Sequence, residues 1–267
     1  MTEYTDHHAP EGLRVRGTIV VVPGRGETRA TYARLGRRLA ADAYRVRVVD
    51  APHIALDALD ALDAPDAPDG TDGSLARLGA RLLEAAEDTA PADGLVRPLV
   101  LVAADLGAAA VAALLGSGER PATVRPDAVV LAGLPGHRAA AAGTWDDELD
   151  IRTSCPAHRG ALTDDPRVRR GALDAAVPDS LLTAAHDGGI TVPALFLVGD
   201  ADPLADRDTL ARTVKSLPRA RLSVVRGAHH DVLNDVQHRS VAAEVVTFLE
   251  TLRNDLVPVV AVESSTW

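Results

Sequence analysis

Apolar residues fall along this chain in short, β-branched runs separated by amphipathic stretches. Gly17 to Val22 is an unbroken apolar run that stops at Pro23-Gly24, the pattern of a strand buried on both faces. From Thr28 to Ala41, Tyr32, Leu35 and Leu39 recur at helical spacing with arginines between them, and Tyr44 to Val49 reads as the next strand. The rhythm continues with a helix over Ser74–Ala86, a strand over Pro98–Ala103, a helix over Gly107–Leu115 and a strand over Ala128–Ala132. It resumes with a strand over Pro193–Val198, a helix over Ala205–Leu217, a strand over Arg221–Val225 and a helix over Val236–Leu252. Such alternation predicts an α/β fold with a mostly parallel central sheet and helices on both faces. Six strands are clear, and a further one is expected near Glu11 to Arg16.

Two segments break the rhythm. Ala55 to Gly73 is an acidic, low-complexity Ala/Leu/Asp/Pro run, read as a solvated loop or frayed helix. Residues 134–191 separate two predicted strands by far more than ordinary crossover loops need, and are expected to form a helical cap over the strand ends. The whole chain, 1–267, is read as a single domain carrying that insertion.

Charge and composition narrow the partners. Thirty-eight acidic against 28 basic residues give a formal charge of -10, which opposes binding to a phosphate backbone. No apolar run is long enough to span a membrane, and the N-terminus lacks a basic start followed by an apolar segment, so a cytoplasmic protein is expected. Cys155 is the single cysteine, which rules out an intrachain disulfide and a Cys-rich metal site, and it reads as a small buried apolar residue. The sequence gives no sign of a cofactor and leaves the oligomeric state open.

The residues that carry chemistry stand at strand ends. After Leu99–Ala103 comes Ala104-Asp105-Leu106-Gly107, a strand-to-helix turn with small residues two positions either side of Asp105. Such a turn holds its central side chain clear of the sheet, and the next amide, Leu106, sits at a helix N-terminus where it stabilises an anion. The loop Pro23-Gly24-Arg25-Gly26-Glu27 offers a second amide, that of Arg25. Asp202, in Gly199-Asp200-Ala201-Asp202-Pro203, and His230, in His229-His230-Asp231-Val232-Leu233-Asn234, follow the last two strands. Carboxyl ends of neighbouring parallel strands share one sheet edge, so Asp105, Asp202 and His230 can converge.

In these four motifs and their order the chain resembles the α/β-hydrolase superfamily from about Gly17 to Leu252. The resemblance implies an α/β-hydrolase fold with Asp105 in the nucleophile position, Asp202 as the orienting acid and His230 as the base, His229 being the alternative base. It implies oxyanion amides from Arg25 and Leu106. Two departures stand out: Pro23-Gly24 replaces the usual His-Gly, and Asp105 replaces the usual Ser. Within the superfamily an Asp nucleophile with Asp and His is similar to epoxide hydrolases and haloalkane dehalogenases. Dehalogenases, however, commonly carry Trp, or Arg for fluoroacetate, where this chain has Leu106. Epoxide hydrolases use cap tyrosines as acids, and Tyr4, Tyr32 and Tyr44 all lie outside the cap, which leaves His137 or His158 to substitute.

A carboxylate is ionised near neutral pH and attacks an sp3 carbon unaided, giving an ester that His230-activated water can hydrolyse. A cofactor-independent hydrolase of a small organic substrate, preferably an epoxide or another sp3 electrophile, is the expectation. Gly24, His137, Trp145 and His158 are candidate pocket residues. Two further readings stay open. Asp105 could be a general base in lyase, cyclase or lactone-opening chemistry, or the chain could be a non-catalytic binder of a ligand or partner.

Overall fold

The computed structural model describes residues 4–52, 71–89, 94–117, 124–137 and 143–265. Among the described residues seven strands form one sheet: β1 (Thr5–His7), β2 (Gly17–Val22), β3 (Tyr44–Val48), β4 (Leu99–Ala104), β5 (Ala128–Ala132), β6 (Ala194–Gly199) and β7 (Ala220–Val225). Their order across the sheet is β1-β3-β2-β4-β5-β6-β7. Only β1 runs antiparallel to its neighbour; β3 through β7 pair in parallel. All six strands read from the sequence are present, and the acidic run 55–73 lies largely outside the described residues, which resume at Thr71.

Alternation along each strand divides the core in two. Val20, Val22, Leu101, Ala103, Leu131 and Phe196 face one side, where they meet α2 (Thr71–Glu87), α3 (Asp105–Gly116) and α6 (Asp179–His186). Ile19, Val21, Val46, Val102, Val130 and Leu197 face the other, against α1 (Ala33–Ala41) and α8 (His238–Arg253). α8 supplies Val241, Ala242, Val245, Phe248 and Leu249, an i, i+4, i+7 stripe that covers its face of the sheet. α7 (Arg207–Ser216) links β6 to β7.

The structure corrects the sequence reading twice. The extra strand is Thr5–His7, not Glu11 to Arg16: Pro10 and the positive φ of Gly12 break the chain between them. Within 134–191, α4 (Trp145–Arg152) and α5 (Pro156–Asp164) form a helical excursion, but α6 joins the core layer. Leu181, Leu182 and Ala185 on α6 pack against the small-residue helix α3, whose alanines allow close approach. The covering segment therefore ends before α6.

Candidate active site

β4 passes directly into α3 at Asp105, which adopts φ 46°. A left-handed conformation at a non-glycine residue costs about 1–3 kcal/mol and persists where surrounding contacts fix it. Here the fit depends on two glycines. A Cβ on Gly107 would lie 2.6 Å from the Pro23 carbonyl oxygen, and one on Gly24 would lie 2.8 Å from the Asp105 Cβ. The turn thus presses Asp105 against the loop after β2.

The Asp105 carboxylate is buried and accepts hydrogen bonds from Arg25 in two ways. The Arg25 amide donates to Oδ2 at 2.7 Å, and the guanidinium donates through Nε to Oδ2 at 2.9 Å and through Nη2 to Oδ1 at 2.8 Å. The same guanidinium reaches the Ala175 carbonyl at 2.6 Å, which anchors it under the inserted segment. His230 Nε2 stands 3.1 Å from Asp105 Oδ1, off the line of a hydrogen bond, while Nδ1 lies 2.9 Å from Asp202 Oδ2. Asp202 Oδ1 accepts the Leu204 amide at 2.9 Å, which fixes the carboxylate facing the imidazole.

Three of the sequence-derived residues, Asp105, His230 and Asp202, therefore meet in that order, with the amide of Arg25 beside them. His229 turns away to Asp235, with Nδ1 at 3.0 Å. Of the two amides singled out from the sequence, that of Arg25 donates to the Asp105 carboxylate and, among the described residues, that of Leu106 does not. His137 pairs with Asp179 at the surface, and Trp145 is held by Thr163 and Arg170; neither joins the triad. His137 is exposed, and Trp145 is half-buried against Leu149, Leu162 and Val168 within the excursion, whereas Arg152 and the Leu173 and Ala175 carbonyls reach Arg25.

Electrostatics follow from burial of alternating charges. Burial alone would raise the Asp105 carboxyl, yet the Arg25 charge and the neighbouring His230 hold it well below the usual carboxylate range. Burial also opposes charge on His230, but the Asp202 and Asp105 carboxylates overcome it and push the imidazole up to about 10. A protonated His230 therefore stands between the Asp105 and Asp202 carboxyl groups near neutral pH.

Sequence reasoning missed the Arg25 side chain, which it treated only as a source of an amide. It also missed a second buried network beside the first. Glu27 Oε2 accepts the Gly24 amide at 2.8 Å and the Tyr32 hydroxyl. Arg152 donates to Glu148 at 2.9 Å, to the Arg25 carbonyl at 2.7 Å and to Asp231 at 3.4 Å. His158 Nε2 contacts Asp231 Oδ2 at 2.8 Å. The candidate pocket residue His158 thus belongs to this network. The signal available was charge in unlikely places: Glu27 ends the Gly-rich loop, and Asp231 follows the base. Burial and the Asp231 charge push Glu27 up to about 7.

Cavities adjoin the site among the described residues. One of about 10 Å³ is bounded by Tyr32, Asp105, His230 and Asp231, among others. Another, of about 230 Å³, is bordered by Arg25, Glu27, Leu106, Arg167 and Arg169.

Residues 81–237 match the family model described as serine aminopeptidase, S33. The chain belongs to this family, within the α/β-hydrolase superfamily. No curated protein matches it in sequence. Solved structures share the fold at low identity. A monoacylglycerol lipase from Paleococcus ferrophilus is similar at 18% identity and TM-score 0.63, over 94% of this chain and 99% of its own. A soluble variant of monoglyceride lipase from Saccharomyces cerevisiae is similar at 14% identity and TM-score 0.69, over 93% and 91%. The enol-lactonase from Burkholderia xenovorans is similar at 18% identity and TM-score 0.62, over 93% and 96%. The family description names a serine; the strained turn of this chain carries Asp105. Among the described residues, no helix is long and apolar enough to cross a membrane.

Proposed function

We propose that this chain is a hydrolase of a small organic molecule bearing an sp3 electrophilic carbon, an epoxide or an alkyl halide, with Asp105 as nucleophile. One observation carries the reading: the carboxylate sits with Oδ2 on the Arg25 amide and Oδ1 beside His230 Nε2. That is the arrangement an ester intermediate needs. Oδ1 attacks the carbon, the C–O or C–X bond breaks, and the leaving group departs with its electron pair. The Arg25 guanidinium must yield its place at Oδ1 to the substrate, and it is then free to stabilise the leaving anion.

The first step also prepares the second. Esterification removes the Asp105 charge, one of the two carboxylates that keep His230 protonated, and the imidazole gives up its proton, to the alkoxide when an epoxide opens or to solvent when a halide leaves. Neutral His230 takes a proton from a water, and the hydroxide attacks the Asp105 Cγ. The oxyanion forms on Oδ2 against the Arg25 amide, and collapse releases an alcohol and the carboxylate. The cavity of about 10 Å³ between Asp105 and His230 has the size of one water. Asp202 orients the imidazole and balances its charge. Neither His137 nor His158 touches the carboxylate, so an alkoxide leaving group draws on Arg25 rather than on an acid from the cap.

A second reading, a non-catalytic ligand-binding member, is favoured by the Arg25 guanidinium lying on the carboxylate with so little free space beside it. Intact mass of His230→Gln incubated with a panel of epoxides and alkyl halides separates the two. An adduct of substrate mass mapped to Asp105 is the expected result. Turnover of esters or lactones by the unmodified protein, with no adduct, would assign Asp105 as a base. Neither adduct nor turnover would favour the binding protein.

A further inference from the structure

Glu27, His158 and Asp231 come from three separate segments: the loop after β2, the first turn of α5 and the turn after β7. Each can present one donor atom, and those atoms lie within 4.8 Å of one another. All three residues are buried, with Glu27 7% and His158 2% exposed. Glu27 Oε1 is buried without a hydrogen-bond partner. A buried acceptor left bare is destabilising, so the cluster lacks one electropositive partner. The nearest cation does not fill the need. Arg152 already spends its donors on Glu148, on the Arg25 carbonyl and on Asp231 Oδ1, so three carboxylates face one guanidinium.

We infer that Glu27 Oε1, His158 Nε2 and Asp231 Oδ2 bind a divalent transition-metal ion of the zinc type. One imidazole nitrogen and two carboxylate oxygens suit Zn²⁺ or Mn²⁺, whereas Ca²⁺ takes six to eight oxygens. Loading displaces to solvent the proton held between His158 Nε2 and Asp231 Oδ2, which stand 2.8 Å apart and part to about 3.3 Å on a tetrahedral ion. The outer partners are already placed. Tyr32 and the Gly24 amide orient Glu27 through Oε2, and Arg152 orients Asp231 through Oδ1. Glu27 borders the cavity of about 230 Å³, which gives an ion a way in past the exposed Arg167 and Arg169. The ion would fasten the inserted segment to the oxyanion loop and to the residue after the base. Its role is structural, and the inference is independent of what Asp105 does.

The test uses the full chain, stripped with a chelator and titrated to equilibrium with Zn²⁺ against a chromophoric competitor. One Zn²⁺ per chain and a raised melting temperature are expected, with affinity at least about tenfold weaker in Glu27→Gln and in His158→Gln. X-ray absorption of the zinc-loaded unmodified protein reads the donor set without any variant: one imidazole with oxygen ligands supports the site. Absence of stoichiometric binding, a donor set of two imidazoles or of oxygen alone, or affinity unchanged in both folded variants would overturn it.

Discussion

Arg25 holds Asp105 with its backbone and its side chain at once, the amide on Oδ2 at 2.7 Å and the guanidinium across both oxygens. In the proposed mechanism a single residue therefore supplies an oxyanion amide and covers the oxygen that attacks. The two roles separate by mutation, because only the second needs the side chain.

Arg25→Ala keeps the amide and removes the cover. Breaking one side of a buried ion pair costs roughly 3–5 kcal/mol, and His230 limits the loss by remaining beside Asp105. Urea denaturation should show the drop, and alkylation of Asp105 by a small epoxide, followed by peptide mass mapping, should become faster than in the unmodified chain.

The pH dependence of stability has a defined sign. His230 stands at about 10 in the fold, above its ordinary 6.5, so its contribution is complete below pH 6.5 and is lost as pH rises through 10. Glu27, raised from 4.5 to about 7, acts in the same direction at lower pH. The urea midpoint should fall between pH 6.5 and 10, and Asp105→Asn should flatten that fall by removing one of the charges that raise His230. Imidazole NMR shifts of His230 in the two proteins report the cause directly.

On the acid side the sign reverses. Asp105, Asp231 and Asp235 are held below the ordinary 3.8, Asp235 at about 2, so the stability they supply is present above pH 3.8 and is lost as pH falls toward 2. Acid unfolding monitored by circular dichroism should begin below pH 4, and Asp235→Asn should make it shallower.

Two glycine substitutions should move stability in opposite directions. Gly107→Ala drives a Cβ to 2.6 Å from the Pro23 carbonyl and 2.9 Å from that of Val22, so the helix must retreat from the loop. A loss of about 1–3 kcal/mol, the usual cost of overpacking, is expected. Gly160→Ala in α5 meets nothing within 4 Å and should gain about 0.5–1 kcal/mol from helix propensity. Thermal melts of both variants check the pair.

The sheet was legible because β2, β4, β5 and β6 are dominated by apolar residues and β3 and β7 alternate apolar with polar, and the convergence of Asp105, His230 and Asp202 followed from strand ends. Arg25 and Glu27 were not, because a sequence displays them as polar loop residues and their burial depends on what the insertion lays over them. The placement of α6 turned on Leu181, Leu182 and Ala185 matching the alanine face of α3, a fit between distant segments that no local pattern expresses. His137 and Trp145 illustrate the converse: position within the insertion predicted proximity, but His137 pairs with Asp179 at the surface and Trp145 packs within the excursion's own small cluster.

The turn after β7 is joined to the end of α4 by two backbone hydrogen bonds, His230 amide to Ile151 carbonyl at 3.2 Å and Asp231 amide to Arg152 carbonyl at 2.8 Å. The end of α4 and the loop that carries His230 are consequently one mechanical piece. Lifting α4 would pull the imidazole off Asp105, so an opened molecule is also a disassembled one. On the proposed function, the substrate arrives sideways, through the gap beside Arg25 and Leu106, while α4 stays in place.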